Sequence, residues 1–221
     1  MARAVELTPE RATVAVATST PFIRLLTAQG REAVDDRTKT LRSLADRYEV
    51  GLESLAVENA RMPHDMSLEI LERSAWVLGT EAIAIRALSY WRMGDHGIGD
   101  YLNATCSTVR DMLETVTKHV SLLHDGLRVS IREEDELTLV TCELHEDVAH
   151  HHWYSENSLG KIIVELRNAF GGGIIPGLMR VYFAHAAPAY EKEYQPAFRV
   201  RTDFSQGENA LVFQSSALDT P

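Results

Sequence analysis

The spacing of hydrophobic residues along the chain changes from a helical to a strand period at Asp125-Gly126. Before this point, apolar positions recur every three or four residues over 22–48, 66–78 and 109–123, which predicts a series of helices. After it, apolar and polar residues alternate over 127–144, and an acidic run inside that stretch predicts the turn of an antiparallel hairpin. The first half of the chain is therefore predicted to be helical, and the second half to contain a sheet.

Further elements are predicted beyond the hairpin. Residues 145–156 are polar and rich in histidine, so they are predicted to form a connection. Helical spacing predicts a helix over 159–170 that ends at the glycines 171–173, with its N-cap at Glu156 or one of the two residues after it. Short strands are predicted over 179–183, 198–204 and 210–213.

These elements together predict the fold class. The chain is expected to be an α/β (α+β) domain, in which a helical N-terminal layer precedes a β-hairpin, a crossover helix and further strands that form one mixed sheet. Residues 1–20 lack a hydrophobic period and are assigned to a flexible lead-in. Residues 21–221 contain no linker or internal repeat and are assigned to one domain, with a helical layer over 21–93 and an α/β layer over 94–221.

Charge and apolar composition exclude two classes of function. The chain has 32 acidic and 22 basic residues, and the basic ones are spread along it, so its surface is expected to repel a phosphate backbone. Direct binding of nucleic acid is therefore not expected. No apolar stretch approaches the roughly 20 residues that cross a bilayer, and the N-terminus lacks a signal-peptide pattern. We expect a cytoplasmic protein.

The sequence lacks the usual motifs of catalysis and metal binding. His145 and His150 are one residue too far apart for the zinc motif His-Glu-x-x-His, and on a helix or a strand they point in different directions. The glycines 171–173 follow a helix rather than open one, so they do not predict a phosphate loop. Cys106 and Cys142 are expected in the core. We expect a protein that is not an enzyme and holds no metal or cofactor.

A group of aromatic and polarisable residues in the middle of the chain is the candidate for a binding pocket. These residues flank the glycine-rich loop 94–99, and a pocket with aromatic walls and a few polar groups suits a metabolite. The candidate effector-binding residues are Trp76, Tyr90, Trp91, Tyr101, His119 and Cys142, with Trp153 in the same group.

Two stretches of the sequence resemble a known family. The first contains Gly94-Asp-His-Gly97-Ile-Gly-Asp-Tyr101-Leu102, then Thr108, Val109 and Leu113, and continues through the predicted hairpin to Leu144. The second contains Phe183-Ala-His185-Ala-Ala-Pro188, Tyr194, Asn209-Ala-Leu-Val-Phe213 and a final Leu218-Asp-Thr-Pro221. Both resemble the N-terminal, arabinose-binding-type domain of AraC-family transcription regulators. The sequence Phe198-Arg-Val-Arg201 stands where the family has Phe-Gly-Cys-Pro.

The resemblance implies a function, partners and structural residues. A domain of this family binds a small-molecule effector and forms a homodimer, and it controls a fused helix-turn-helix module that binds DNA. The present sequence is expected to lack that module. Any contact with DNA would therefore be made by the module and not by this chain. The identity of the effector does not follow from the family's name. The resemblance also implies structural roles for four residues, which are His185, Pro188, Tyr194 and Asn209.

Two alternative functions stay open at this point. A helical layer followed by a hairpin and a crossover helix is also similar to gas-sensing domains. The chain would then be a haem or other cofactor sensor with His119 or His145 as axial ligand. The second alternative is a small enzyme, which no nucleophile or acid–base constellation in the sequence supports.

Overall fold

The computed structural model describes residues 12–28, 39, 42–49, 60–95, 98–145, 152–171 and 173–220. The helices are α1 (Thr20–Ala28), α2 (42–47), α3 (His64–Leu78), α4 (Ile83–Ala87), α5 (Ile98–Ala104), α6 (Val109–His119), α7 (His152–Ala169) and α8 (Tyr194–Phe198). The strands are β1 (Thr13–Ala15), β2 (Arg61–Pro63), β3 (Leu127–Glu134), β4 (Leu137–Leu144), β5 (Leu178–Tyr182), β6 (Arg201–Asp203) and β7 (Ala210–Gln214). None of the described helices combines the length and hydrophobicity of a membrane span.

The second half of the described chain forms a five-stranded mixed sheet in the order β3-β4-β7-β5-β6. Only β5 and β6 pair in parallel, and the other neighbours are antiparallel. The predicted hairpin is β3–β4, and its turn lies at Asp135, whose φ of 53° is left-handed. The predicted α/β class, with a helical layer before a mixed sheet and a crossover helix, is confirmed.

One large core joins the sheet to the helices α6 and α7. The helix α6 begins at Thr108, whose side chain accepts a hydrogen bond from the backbone N–H of Asp111, and it buries Val109, Met112 and Leu113. This face is the apolar stripe predicted from the sequence. Cys142 is buried in the same core, and Cys106 is half-buried.

The helix α7 is longer than the sequence predicts. It begins at His152, so the second part of the predicted polar connection 145–156 is helical. The reason is tertiary packing. Trp153 and Tyr154 are buried against the helical layer, where Trp153 Nε1 donates to Glu81 O at 2.7 Å. His150 and His151 lie outside the described residues, as do residues 29–38 within the predicted helical stretch 22–48.

Residues 12–20 of the predicted flexible lead-in belong to the fold, and residues 1–11 lie outside the described residues. Strand β1 pairs with β2, and Val14 also bridges to His124 beside the main sheet. The guanidinium of Arg61 donates to Thr13 Oγ1 at 2.7 Å and to Asp125 Oδ1 at 2.8 Å. These bonds attach the N-terminal segment to the sheet. A strand of three residues is too short for its hydrophobic period to predict this attachment.

Gly160 is the point of closest approach between α7 and the segment after α4. A Cβ atom at this position would lie 2.5 Å from Leu88 Cδ1 and 2.7 Å from Cδ2. Both residues are buried, so the clash has little room to relax. We expect Gly160→Ala to lower the free energy of unfolding by about 1–3 kcal/mol, even though alanine is intrinsically the better helix former. Urea unfolding measures this cost.

A double-mutant cycle tests the cause of that expected loss. In a Leu88→Ala background, Gly160→Ala should cost clearly less than in the unmodified chain, because the colliding methyl groups are gone. Equal costs in the two backgrounds would show that the contact with Leu88 is not responsible.

Candidate functional site

A partly open cavity of about 80 Å³ lies between the N-terminal helical layer, the helices α5–α7 and the hairpin β3–β4. We call it the main cavity. Its apolar wall includes Val14, Phe22, Leu71, Leu102, Val116, Val120, Leu123, Leu127, Val129 and Ile162. Its polar residues include Ser67, Asn103, Thr115, His119, His124, Cys142, Tyr154, Asn157, Ser158, Lys161 and Glu165. A mostly apolar space with a few convergent polar groups is the usual form of a small-molecule site.

A buried ion pair on α7 supplies charge to this wall. Lys161 Nζ lies 3.4 Å from Glu165 Oε1, and both side chains are only 13% exposed. Asn103 Nδ2 donates to the other carboxylate oxygen of Glu165 at 2.7 Å. Burial lowers the pKa of Lys161, while Glu165 and Asp100 oppose that shift. The ammonium group is thus held at the cavity, where it is largely removed from water.

A pair of buried histidines lies at another side of the main cavity. The N–H of Gly126 donates to His124 Nδ1 at 3.0 Å, so the proton of neutral His124 lies on Nε2 and points to His64 Nδ1 at 2.8 Å. Tyr154 packs on both rings and donates to Ser67 Oγ at 2.8 Å. Burial, together with His64, lowers the pKa of His124 to about 3. His124 is therefore neutral at pH 7.

A second space, of about 190 Å³, adjoins the main cavity. We call it the His185 compartment. Its walls are Leu127, Cys142, Leu144, His152, Tyr154, Ser155, Ser158, Ala184, His185 and Asn209. Four of these residues, namely Leu127, Cys142, Tyr154 and Ser158, also line the main cavity. The two spaces therefore share one wall.

The carboxylate of Glu156 lies behind the two histidines of this compartment. Its side chain is fully buried, and its Oε1 is 3.9 Å from the Nε2 atoms of both His152 and His185. Tyr190 Oη donates to Oε1 at 2.8 Å, and Tyr194 Oη donates to the same oxygen. Burial raises the pKa of Glu156 to about 7, although the two tyrosine hydrogen bonds act in the opposite direction. Glu156 does not itself line the compartment, so its charge acts from one side chain away, through His152 and His185.

The structure brings only part of the predicted effector site together. His119 and Cys142 line the main cavity, and Trp91 lines a small neighbouring space that also contains Lys161. Trp76 is 81% exposed and Tyr101 is 66% exposed, and neither lines the main cavity. Tyr90 and Trp153 are not among its lining residues either.

The four residues with predicted structural roles lie near one another in the structure. His185 Nδ1 donates to Ala186 O at 2.9 Å, and Asn209 Oδ1 accepts from the N–H of Ala184 at 3.0 Å. Tyr194 is buried on Glu156, and Pro188 is half-buried in the intervening segment. His145, the other histidine of the cofactor alternative, follows β4 and does not line the main cavity.

Sequence reasoning missed the polar residues of α7. Glu156, predicted as a possible N-cap, stands three residues before Leu159 and seven before Ile163, so it occupies the apolar face of the longer helix α7. A charged residue at such a position is unusual unless it has a partner or a role. A glutamate in register with the apolar residues of the helix is the signal by which Glu156 could have been found.

The fold and the cavity define this chain as an α/β domain with a candidate small-molecule site. A family model described as the arabinose-binding domain of AraC transcription regulators, N-terminal, matches residues 40–221. The chain therefore belongs to this family of regulatory domains.

A solved structure shares the fold. The chain is similar to the transcriptional regulator CdpR from Pseudomonas aeruginosa, with a TM-score of 0.55 and 14% sequence identity. The match covers 81% of the present chain and 55% of CdpR, so it spans about half the length of that regulator. A comparison with curated protein sequences gives no match.

Proposed function

We propose that the chain senses a small-molecule effector in the main cavity and thereby controls a transcription regulator. The observation that carries this proposal is the mostly apolar cavity between two layers, with the buried Lys161–Glu165 pair in its wall. Membership of the AraC regulatory family supports it. The role is non-enzymatic and does not require the cavity to bind arabinose.

The polar groups of the wall indicate how an effector is held. Among the described residues Lys161 forms an ion pair with Glu165, which leaves ammonium hydrogens that can donate to a ligand. Asn157 Oδ1 is buried and has no hydrogen-bond partner among the described residues. A buried polar atom without a partner costs free energy that a ligand donor recovers. The proposed effector therefore has an apolar body and polar groups that meet these two side chains.

The position of the cavity provides a route from binding to regulation. Its walls come from the N-terminal segment, the helices and the hairpin, so a bound molecule contacts both layers at once. A ligand that binds one arrangement of the layers more tightly shifts the population towards that arrangement. We propose that this shift acts on a homodimer and on a fused helix-turn-helix module in the bacterial cytoplasm, the setting in which such regulators reach DNA.

A matched pair of lysine variants tests the site. Lys161 and Lys118 each form an i,i+4 pair with a glutamate, but Lys161 is 13% exposed and Lys118 is 68% exposed. We expect a metabolite library to contain compounds that raise the melting temperature of the unmodified chain. Binding of these compounds should fall about tenfold or more in Lys161→Met, because a charge-assisted hydrogen bond is lost. Lys118→Met should bind them normally.

Calorimetric titration of the best compound gives the dissociation constants. Loss of binding in both lysine variants, or in neither, would contradict the assignment of the effector to the main cavity. A broad library without any stabilising compound would count against the sensing function itself.

A further inference from the structure

Three buried hydrogen-bond acceptors in or directly behind the walls of the two spaces lack donors among the described residues. Because His185 Nδ1 donates to Ala186 O, the Nε2 atom of the neutral ring is an acceptor. This Nε2 atom and Oε2 of Glu156 are buried and have no hydrogen-bond partner among the described residues. Asn157 Oδ1, in the wall of the main cavity, also lacks a partner among the described residues. The missing partner of His185 Nε2, of Asn157 Oδ1 and of the ionised form of Glu156 is a hydrogen-bond donor.

Among the described residues, one buried carboxylate near the two spaces lacks a cationic partner. Lys161 is compensated by Glu165. Glu156 has no lysine or arginine partner among the described residues, and its neighbours are His152, His185 and two tyrosines. Burial lowers the pKa of His185, which keeps that ring neutral at pH 7. A buried carboxylate without a cation favours a positive ligand beside it.

We propose that the His185 compartment binds the positively charged end of the effector, a primary or secondary ammonium group, with Glu156 as counter-ion and His185 Nε2 as hydrogen-bond acceptor. This inference rests on the proposed function, because the apolar body of the same molecule lies in the main cavity. The shared wall of Leu127, Cys142 and Tyr154 makes the two spaces neighbours. An ammonium group supplies both the donors and the charge, whereas a hydroxyl group supplies only donors and a carboxylate supplies neither.

The proposal has a pH dependence with a definite sign. The titratable groups that face Glu156 are His152 on its own helix, His185 after β5, Tyr190, and Tyr194 in α8. With a pKa of about 7, Glu156 changes from mostly protonated to mostly ionised between pH 6 and pH 8. Because the ammonium group binds the ionised form, its affinity should rise about tenfold over this range.

Three probes of equal chain length test the selectivity. Butylammonium, butan-1-ol and butanoate are titrated into the ¹⁵N-labelled chain at constant ionic strength and pH 8, and binding is followed by NMR. We expect butylammonium to bind about tenfold more tightly than butan-1-ol, since it forms charge-assisted hydrogen bonds, and butanoate to bind least. The shifted amides should include those of Ser155, His185 and Asn209, which line the compartment.

Two variants separate the charge of Glu156 from the general charge of the protein. Glu156→Gln should bind butylammonium and butan-1-ol equally, with no pH dependence. The control Glu72→Gln removes an exposed carboxylate on α3 and should keep the preference. Equal binding of the two probes by the unmodified chain, a preference that persists in Glu156→Gln, or binding of none of the three would overturn the proposal. The pH series on the unmodified chain tests the ammonium site even if the variant does not fold.

The outcomes also separate this inference from the proposed function. If the chain binds a library compound that lacks an amine and depends on Lys161, but does not bind butylammonium, the sensing function is supported and the ammonium site is overturned. Butylammonium that binds through Glu156, in a chain that binds no library compound, would support the ammonium site and count against sensing in the main cavity.

Discussion

Replacement of Glu156 by glutamine is expected to raise the free energy of unfolding by about 3 kcal/mol at pH 8 and to change it little at pH 4.5. Burial raises the pKa of this carboxyl group from 4.5 to about 7. Its contribution to stability is therefore complete below pH 4.5 and is lost as the pH rises through 7. Glutamine has the same shape, accepts from Tyr190 and Tyr194 through its carbonyl oxygen, and never ionises.

Urea unfolding of both proteins at pH 4.5 and pH 8 measures this effect. His124 acts in the opposite direction, because its folded pKa of about 3 makes the protein less stable as the pH falls below 6.5. Both proteins contain His124, so the difference between them isolates Glu156. Glu72→Gln, on an exposed position, should show no such gain. An equal effect of Glu156→Gln at the two pH values would refute the assigned burial cost.

A stabilising change at Glu156 has a functional meaning. Natural proteins tend to keep unfavourable buried charges where a ligand uses them, and their removal then gains stability and loses function. The same substitution is expected to remove the selectivity of the His185 compartment for an ammonium group. Higher stability combined with lower selectivity is the signature of a binding residue.

Replacement of Phe183 by alanine is expected to lower the free energy of unfolding by about 3–5 kcal/mol. The ring is fully buried at the end of β5. It packs against His185, Tyr194, Phe198 and Phe204, with ring centroids 4.9–5.9 Å apart. The loss combines apolar burial, aromatic contacts and the cavity that remains.

Met179 on the same strand offers the matched control, because its side chain is 45% exposed. Met179→Ala is expected to change stability by less than about 0.5 kcal/mol. Urea unfolding at pH 7 compares the three proteins. A cost below about 1 kcal/mol for Phe183→Ala would mean that the aromatic cluster relaxes to fill the space, contrary to a closely packed core.

The elements that the sequence predicts well are those in which local spacing and tertiary packing agree. The α6 stripe and the β3–β4 hairpin have a regular period, and each buries the face that this period defines. The start of α7 has no such period, because its first turn is buried by distant partners. Tyr154 donates to Ser67 and Trp153 donates to Glu81, which are 87 and 72 residues away. Contacts over such separations leave no local pattern.

The candidate site was less predictable than the fold, because residue type does not specify which side of a helix faces a cavity. Trp76 and Tyr101 have the chemistry of pocket residues, yet their helices turn them to solvent. His119 and Cys142 lie on elements that form walls of the main cavity. The charged residues of α7 depend on a three-dimensional juxtaposition with Asn103, Tyr190 and Tyr194 that no spacing encodes.

The fastening of β1 by Arg61 bears on how the limits of such domains are defined. The family match begins at residue 40, whereas Val14, Thr18 and Phe22 form part of the wall of the main cavity. A protein fragment cut at the first matched residue would lack that wall and would open the cavity to water. The cooperative unit, and therefore the smallest piece fit for ligand screening, is larger than the region that homology outlines.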